Sequence, residues 1–289
     1  MIKIIATDMD GTLLNNKGLI SDVNVRAIQK AKEAGIEVII ATGRSVEFAR
    51  FPVESSGLNL SLIVMNGALI IDQDGQIESS IALDKSVIRD VVKVLNKFDV
   101  YYEFYTNQGH IAVDMKKGEE ILQKIFMEKH QFETIAESLK YVQNRFKNGQ
   151  IKFSNYSEDI FTNDNMQVYK LIVFSFEKDK LVKVQQELDS LPDIVVSSSG
   201  YGNLEINHKE AQKGLALERY ARKRKIATEE IMAIGDSYND VSMLKVAGFS
   251  VAMDNADDEI KKLADFVTLT NDHHGFAHAV EKVLEMNNK

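Results

Sequence analysis

The chain of 289 residues contains no cysteine. That excludes disulfide staples, thiolate catalysis and cysteine-based zinc or iron–sulfur sites, and it suits a cytoplasmic location. Positive charge is also in short supply: Lys and Arg total 35 against 43 Asp and Glu, a formal net charge of −8. An acidic balance argues against general nucleic-acid binding, which runs on lysines and arginines neutralising phosphates. It leaves room for a local basic pocket that takes a small anion. No apolar run approaches the ~18 residues of a membrane-spanning helix, so no membrane partner is expected. The N-terminal MIKIIATDMDG carries Lys3 and Asp8 where a signal peptide would be apolar. Repeats and low-complexity linkers are missing too. What is present is ordinary for a globular protein, 44% hydrophobic and 27% charged, with enough length for one large core or two modest ones.

The apolar pattern alternates between short buried strands and helices. Ile2–Thr7 reads as a strand ending in a polar turn, and Ser21 is placed to cap a helix that Gly35 would end. The strand IEVIIATGR follows, then a helix from Ser45 that Pro52 should disturb, then the strand SLIVMNG. Such alternation indicates a parallel sheet covered on both faces. ALIIDQDGQIESS reads as a hairpin with its turn at Asp74-Gly75. From about Asp84 the rhythm changes to a helix, the alternating aromatic strand VYYEFYTN, GHIAVDM, two polar helical stretches between Lys117 and Asn148, QVYKLIVFSFE, a helix over 178–190 and DIVVSSS. Alternating strands with a solvated face suggest a separate antiparallel α+β unit. From about Asn203 the first rhythm returns, beginning with the strand NLEIN. The expected fold is therefore α/β: a Rossmann-like parallel-sheet core made of residues 1–82 and 201–289, interrupted by an α+β cap over 83–200.

In an open parallel sheet, ligands bind outside the carboxyl ends of the strands. Those ends carry Asp8-Met9-Asp10-Gly11-Thr12, Thr42-Gly43-Arg44, Asn66-Gly67 and Asp236-Ser237-Tyr238-Asn239-Asp240, with Lys213 early in a helix after NLEIN. Three converging carboxylates would repel one another. A hard divalent ion resolves that, and an all-oxygen site favours Mg²⁺. Thr42, Lys213 and backbone N–H groups of the first turn could bind the remaining oxygens of a phosphate. Asp8 could attack phosphorus as a carboxylate nucleophile, and Asp10 could protonate the leaving oxygen and then deprotonate water.

DMDGTLL at Asp8–Leu14, ATGR, Lys213 and GDSYND together resemble the four signatures of the haloacid dehalogenase superfamily, in order. The hairpin after MNGALI, the large insert and the tail VAMDNADDEIKKLADFVTLTNDHHGFAHAV are similar to its Cof-type branch. The resemblance implies Mg²⁺-dependent hydrolysis of phosphate esters. It places the nucleophile on Asp8 and the acid/base on Asp10, with phosphate contacts at Met9 (main chain), Thr42, Gly43, Lys213 and Asn239. It puts the metal on Asp8, the Asp10 carbonyl and Asp236, with Asp240 orienting the metal shell from behind. Asn66 and Arg44 are candidate substrate contacts. The substrate expected is a small phosphorylated metabolite, sugar phosphates first, then flavin mononucleotide or pyridoxal phosphate. Two rival readings share the pocket: a phosphomutase with the same nucleophile, and a non-hydrolytic phosphometabolite sensor. Oligomeric state is left open.

Other motifs have plainer readings. Asp72-Gln73-Asp74-Gly75 opens like a calcium loop, but its twelfth position is Leu83, so Ca²⁺ is rejected. His273, His274 and His278 show no third-ligand pattern and read as a polar loop and helix face. The basic run Arg219, Arg222, Lys223, Arg224, Lys225 sits at a helix C-terminus, where the dipole favours cations. Tyr101, Tyr102, Phe104 and Tyr105 read as core, with the outward members able to face a substrate.

Overall fold

Ile4–Thr7 forms β1, buried along its whole length. A four-residue strand with no solvated face belongs in the middle of a covered parallel sheet, and β1 lies there. The computed structural model describes residues 1–128, 134, 136, 137, 140, 143, 151–153, 158–200 and 202–288. These divide into two compact units, one of residues 1–81 and 210–289, the other of residues 82–209.

In the first unit β2 (Glu37–Ala41), β3 (Ser61–Val64) and the hairpin β4 (Leu69–Ile71) and β5 (Ile77–Ser80) follow β1. Three more strands, β12 (Ile231–Gly235), β13 (Phe249–Ala252) and β14 (Phe266–Val267), come from the end of the chain. The sheet order is β14-β13-β12-β1-β2-β3-β4-β5. The pairs are parallel except for the antiparallel β3–β4 and β4–β5. In helix α1 (Asp22–Glu33) the capping expectation holds, since Ser21 Oγ accepts the Asn24 N–H at 3.2 Å.

Helix α2 (Val46–Ser55) differs from expectation by running through Pro52 to Ser55. Proline removes the bond to the carbonyl four residues back. Here that carbonyl, Phe48 O, receives Arg44 Nη1 at 3.0 Å instead.

The second unit contains α3 (Lys85–Lys97), β6 (Tyr101–Thr106), β7 (Gly109–Ala112), α4 (Met115–Glu128), β8 (Ile151–Phe153), the short α5 (Glu158–Thr162), β9 (Val168–Phe174), α6 (Lys178–Leu188), β10 (Ile194–Ser197) and β11 (Asn203–His208). Its sheet order is β10-β11-β9-β6-β7-β8. All pairs are antiparallel except the parallel β7–β8. Tyr102, Phe104, Leu171, Val173, Leu204 and Ile206 build its core with the apolar faces of α3 and α6. Of the second polar helix expected before Asn148, the described residues 136, 137, 140 and 143 are helical, and the rest lies outside the described residues.

One boundary is corrected. Asn203–His208, expected to open the second core segment, pairs antiparallel with both β9 and β10. Its alternation, with Leu204 and Ile206 in the second unit's core, is that of a strand in an antiparallel sheet rather than a continuous apolar run. The first unit resumes at Glu210 and continues with α7 (Lys213–Lys223), α8 (Val241–Val246), α9 (Asp258–Lys261) and α10 (Gly275–Asn287).

Candidate active site

The parallel strands of the first unit end on one edge of their sheet, and the polar turns that follow them form the candidate site. After β1 the chain makes one wide turn, with Leu14 N–H donating to Met9 O at 2.8 Å and Leu13 N–H to Asp8 O at 3.3 Å. Asp8 is buried at the start of that turn. Gly11 has φ +78°, and a Cβ there would lie 2.5 Å from Asp236 Oδ2. Glycine therefore serves twice at this position, for the left-handed backbone and for the close approach of the neighbouring carboxylate.

Lys213, at the first position of α7, is wholly buried. Its Nζ donates to Asp8 Oδ1 at 2.7 Å and to Asp240 Oδ1 at 2.6 Å. Gly214 lets α7 approach closely enough for this, because a Cβ there would stand 2.3 Å from Ser242 O, and its N–H donates to Ser242 Oγ at 3.0 Å. The other Asp240 oxygen accepts the N–H groups of Asp236 and Ser237 at 3.0 and 2.9 Å. Both Asp240 oxygens are thus engaged in holding other parts of the site.

Asp236 accepts hydroxyl bonds from Thr12 at 2.7 Å and Ser237 at 3.1 Å. Neither hydroxyl stood out in the sequence, where both read as turn residues. Carboxylate oxygens of Asp8, Asp236 and Asp240 lie within 4.8 Å of one another. Burial, followed by the neighbouring Asp240, Asp236 and Asp10, pushes the Asp8 carboxyl well above its usual range, against the pull of Lys213. Burial and Asp240 likewise push Asp236 up to about 6, with Thr12, Lys213 and Ser237 opposing. Burial works to lower the Lys213 ammonium, but Asp240 and Asp8 outweigh it and hold it above its ordinary value. Three clustered carboxylates against one ammonium leave a negative surplus in a dry place. An all-oxygen donor set with that surplus fits a divalent cation.

Asp10 faces the other way. Arg44 Nε and Nη2 hold its two carboxylate oxygens at 2.7 and 2.6 Å in a bidentate pair. Arg44, expected as a substrate contact, is in the structure seated between Asp10 and Phe48 O. Its own N–H donates to Thr42 Oγ1 at 3.2 Å, which places Thr42, buried, beside Gly43 at the end of β2. The turn after β3 folds back on this segment. Met65 and Asn66 have φ +51° and +60°, and their N–H groups donate to Arg44 O and Thr42 O. Asn239 Nδ2 donates to Asn66 Oδ1 at 3.2 Å, and Asn239 Oδ1 is buried without a hydrogen-bond partner. Asp8, Lys213, Asp236 and Asp240 therefore form one hydrogen-bonded group, and Asp10, Arg44, Thr42, Asn66 and Asn239 form a second.

The plainer motifs stay outside it. His273, His274 and His278 each engage a separate hydroxyl, of Thr270, Ser21 and Thr268. Arg219 donates to the carbonyls of Glu210 and Gly67, and Arg224 pairs with Glu37 and Glu78.

Comparison with known proteins agrees with this geometry. Residues 5–280 match the family model of haloacid dehalogenase-like hydrolases. The chain is 36% identical to Phosphatase YwpJ of Bacillus subtilis, over 98% of this chain and 100% of the relative. It is also 36% identical to the 5-amino-6-(5-phospho-D-ribitylamino)uracil phosphatase YwtE of the same organism, over 98% of each chain. A solved haloacid dehalogenase-like hydrolase from B. subtilis superposes with a TM-score of 0.86 at 34% identity, over 97% of this chain and 99% of the other. The chain belongs to the haloacid dehalogenase-like hydrolases, as a phosphatase of the Cof-type branch of that superfamily.

Proposed function

We propose that the protein hydrolyses phosphate monoesters of small metabolites, sugar and sugar-alcohol phosphates first, with Mg²⁺ as cofactor and an aspartyl-phosphate as intermediate, in the cytoplasm. The observation that carries this is the buried Lys213 bridge between Asp8 and Asp240 with Asp236 alongside. The substrate class is supported by two relatives named as 5-amino-6-(5-phospho-D-ribitylamino)uracil phosphatases, whose substrate pairs a phosphate with a polyol arm.

Asp8 and Asp236, with the Asp10 carbonyl, would hold the ion, and Asp240, both of whose oxygens are engaged, orients the others. When bound, Mg²⁺ would neutralise charge on the phosphoryl oxygens and on the carboxylate surplus. Asp8 supplies an oxygen that forms a new bond to phosphorus as the ester's P–O bond breaks. Asp10 delivers a proton to the departing oxygen, so the alcohol leaves neutral, and takes a proton from the water that then cleaves the acyl phosphate. To do so it must exchange its Arg44 pair for the reacting oxygen. Lys213, Thr42, Gly43, Asn239 and the Met9 main chain hold the phosphate oxygens.

Phosphate release across a panel of sugar phosphates, nucleotides and cofactor phosphates tests the reading. Activity should require a divalent ion and vanish in Asp8→Asn. Undiminished release by that variant overturns the proposal.

A further inference from the structure

Three carbonyls of the turn that carries Asp8 and Asp10 are held by asparagine amides from elsewhere in the chain. Gly11 O receives Asn255 Nδ2 at 2.8 Å, Leu13 O receives Asn24 Nδ2 at 2.9 Å and Leu14 O receives Asn271 Nδ2 at 3.0 Å. Asn24 and Asn271 are buried, as asparagines inside a structural brace should be. Asn255 is exposed, so packing alone does not account for its place.

The orientation of the Asn255 amide is determined. Its Oδ1 accepts the Asn271 N–H at 3.0 Å. A backbone N–H can only donate, so Nδ2 must be the end that faces Gly11 O. One side chain thereby links the turn after β13 to the turn after β1, while Asn271 grips the same turn two residues past Thr12. A further tie is a pair of hydrogen bonds that Asn16 donates, from its backbone N–H and its Nδ2, to the Asp272 carboxylate.

The carbonyl that Asn255 holds belongs to the peptide joining Gly11 to Thr12. On one side of that peptide, Gly11 lies against Asp236. On the other, the Thr12 hydroxyl bonds Asp236 Oδ1. Rotation of this peptide would therefore shift Asp236 relative to Asp8 and move the Asp10 main chain. We propose that Asn255 is a positioning residue, whose amide locks the Gly11–Thr12 peptide and so sets the spacing of Asp8 and Asp236. The catalytic consequence rests on the phosphatase reading above, but the brace itself does not.

Two variants separate the contributions. Asn255→Asp keeps an acceptor for the Asn271 N–H and loses only the donor to Gly11. Asn255→Ala loses both without adding charge. In both, kcat for the best substrate of the panel at saturating Mg²⁺ should fall about 10–100-fold, the usual cost of removing a supporting contact behind a metal site, with KM within threefold of wild type. In metal-free protein, hydrogen exchange at the Leu13 and Leu14 amides should quicken while the urea unfolding midpoint stays the same. A kcat within twofold of wild type overturns the proposal. So does a fall in kcat with Leu13 and Leu14 still protected, or faster exchange across the whole unit with a lowered midpoint, which is a merely structural role. If wild type releases no phosphate from any member of the panel, the phosphatase reading fails, and the exchange measurement still decides the brace.

Discussion

Replacing Lys213 by Met removes one charge and leaves most of the shape. The unbranched stem of Met fills the space of the lysine methylenes, so the packing cost is small. The electrostatic cost is not. The ammonium is wholly buried and bonds two carboxylates at 2.7 and 2.6 Å. Without it, Asp8, Asp236 and Asp240 keep their oxygens within 4.8 Å of one another and no cation bridges them. Two unit charges about 4 Å apart repel by about 4 kcal/mol at an effective dielectric near 20. Breaking a buried pair by deleting one partner costs about 3–5 kcal/mol. The freed carboxylates can take up protons and relieve part of the strain, so the lower end, about 3 kcal/mol at neutral pH, is expected for metal-free protein. The same deletion makes the cluster more negative, and a divalent ion should then bind Lys213→Met more tightly than wild type. At a hundredfold excess over Kd such an ion returns about 2.7 kcal/mol. Urea unfolding of both proteins, with and without Mg²⁺, reads these quantities directly. Phosphate release should fall about 10²–10³-fold, as when one preorganised donor is removed from an active site. Metal-free Lys213→Met within 1 kcal/mol of wild type, together with indifference to Mg²⁺, would refute the reasoning.

Two further outcomes follow from the geometry. Gly11→Ala places a Cβ 2.5 Å from Asp236 Oδ2 at φ +78°. It should cost about 1–3 kcal/mol in unfolding experiments and at least tenfold in kcat, because the carboxylate must move away. Glu78, held by Arg224 and Lys223, has its carboxyl lowered; burial acts to raise it, and the bonds from Arg224 and Lys223 prevail. A depressed carboxyl contributes stability above its unfolded value of 4.5 and loses it as pH falls through the folded value. Glu78→Gln should therefore be less stable than wild type at neutral pH, by up to about 1 kcal/mol, and equal to it in strong acid; a gap independent of pH contradicts this.

Much of this arrangement was legible because its residues stand at strand ends, where short apolar runs give way abruptly to Asp, Thr, Asn and Gly. Asp8, Thr42, Asn66 and Asp236 announce themselves in this way. Lys213 does not, and only the resemblance singled it out from other helix lysines. The strand Asn203–His208 was expected in the wrong sheet, since the alternation of NLEIN states a face and not a partner. Pro52 signalled a disturbed helix, but the signal lacked Arg44, whose guanidinium satisfies the carbonyl that proline abandons. Thr12, Ser237 and Asn255 were illegible for another reason. Each sits among Gly, Asp and Asn, where a turn already explains such residues, and their tasks appear only when distant segments meet.

That meeting has a consequence for how the protein comes into being. Asp8 and its lysine are 205 residues apart, and Thr12 and Asp236 are 224 apart. A ribosome delivers Asp8 and Thr12 long before the lysine and the aspartate that bind them. At about 5–20 residues per second, the nascent chain carries Asp8 on a strand that has β2 but not yet β12 beside it for about ten seconds or more. Throughout that interval the chain has neither an assembled acidic cluster nor a reason to hold a metal ion. The acidic cluster is thus a late product of synthesis, and premature termination anywhere before Asp240 yields a fragment without it.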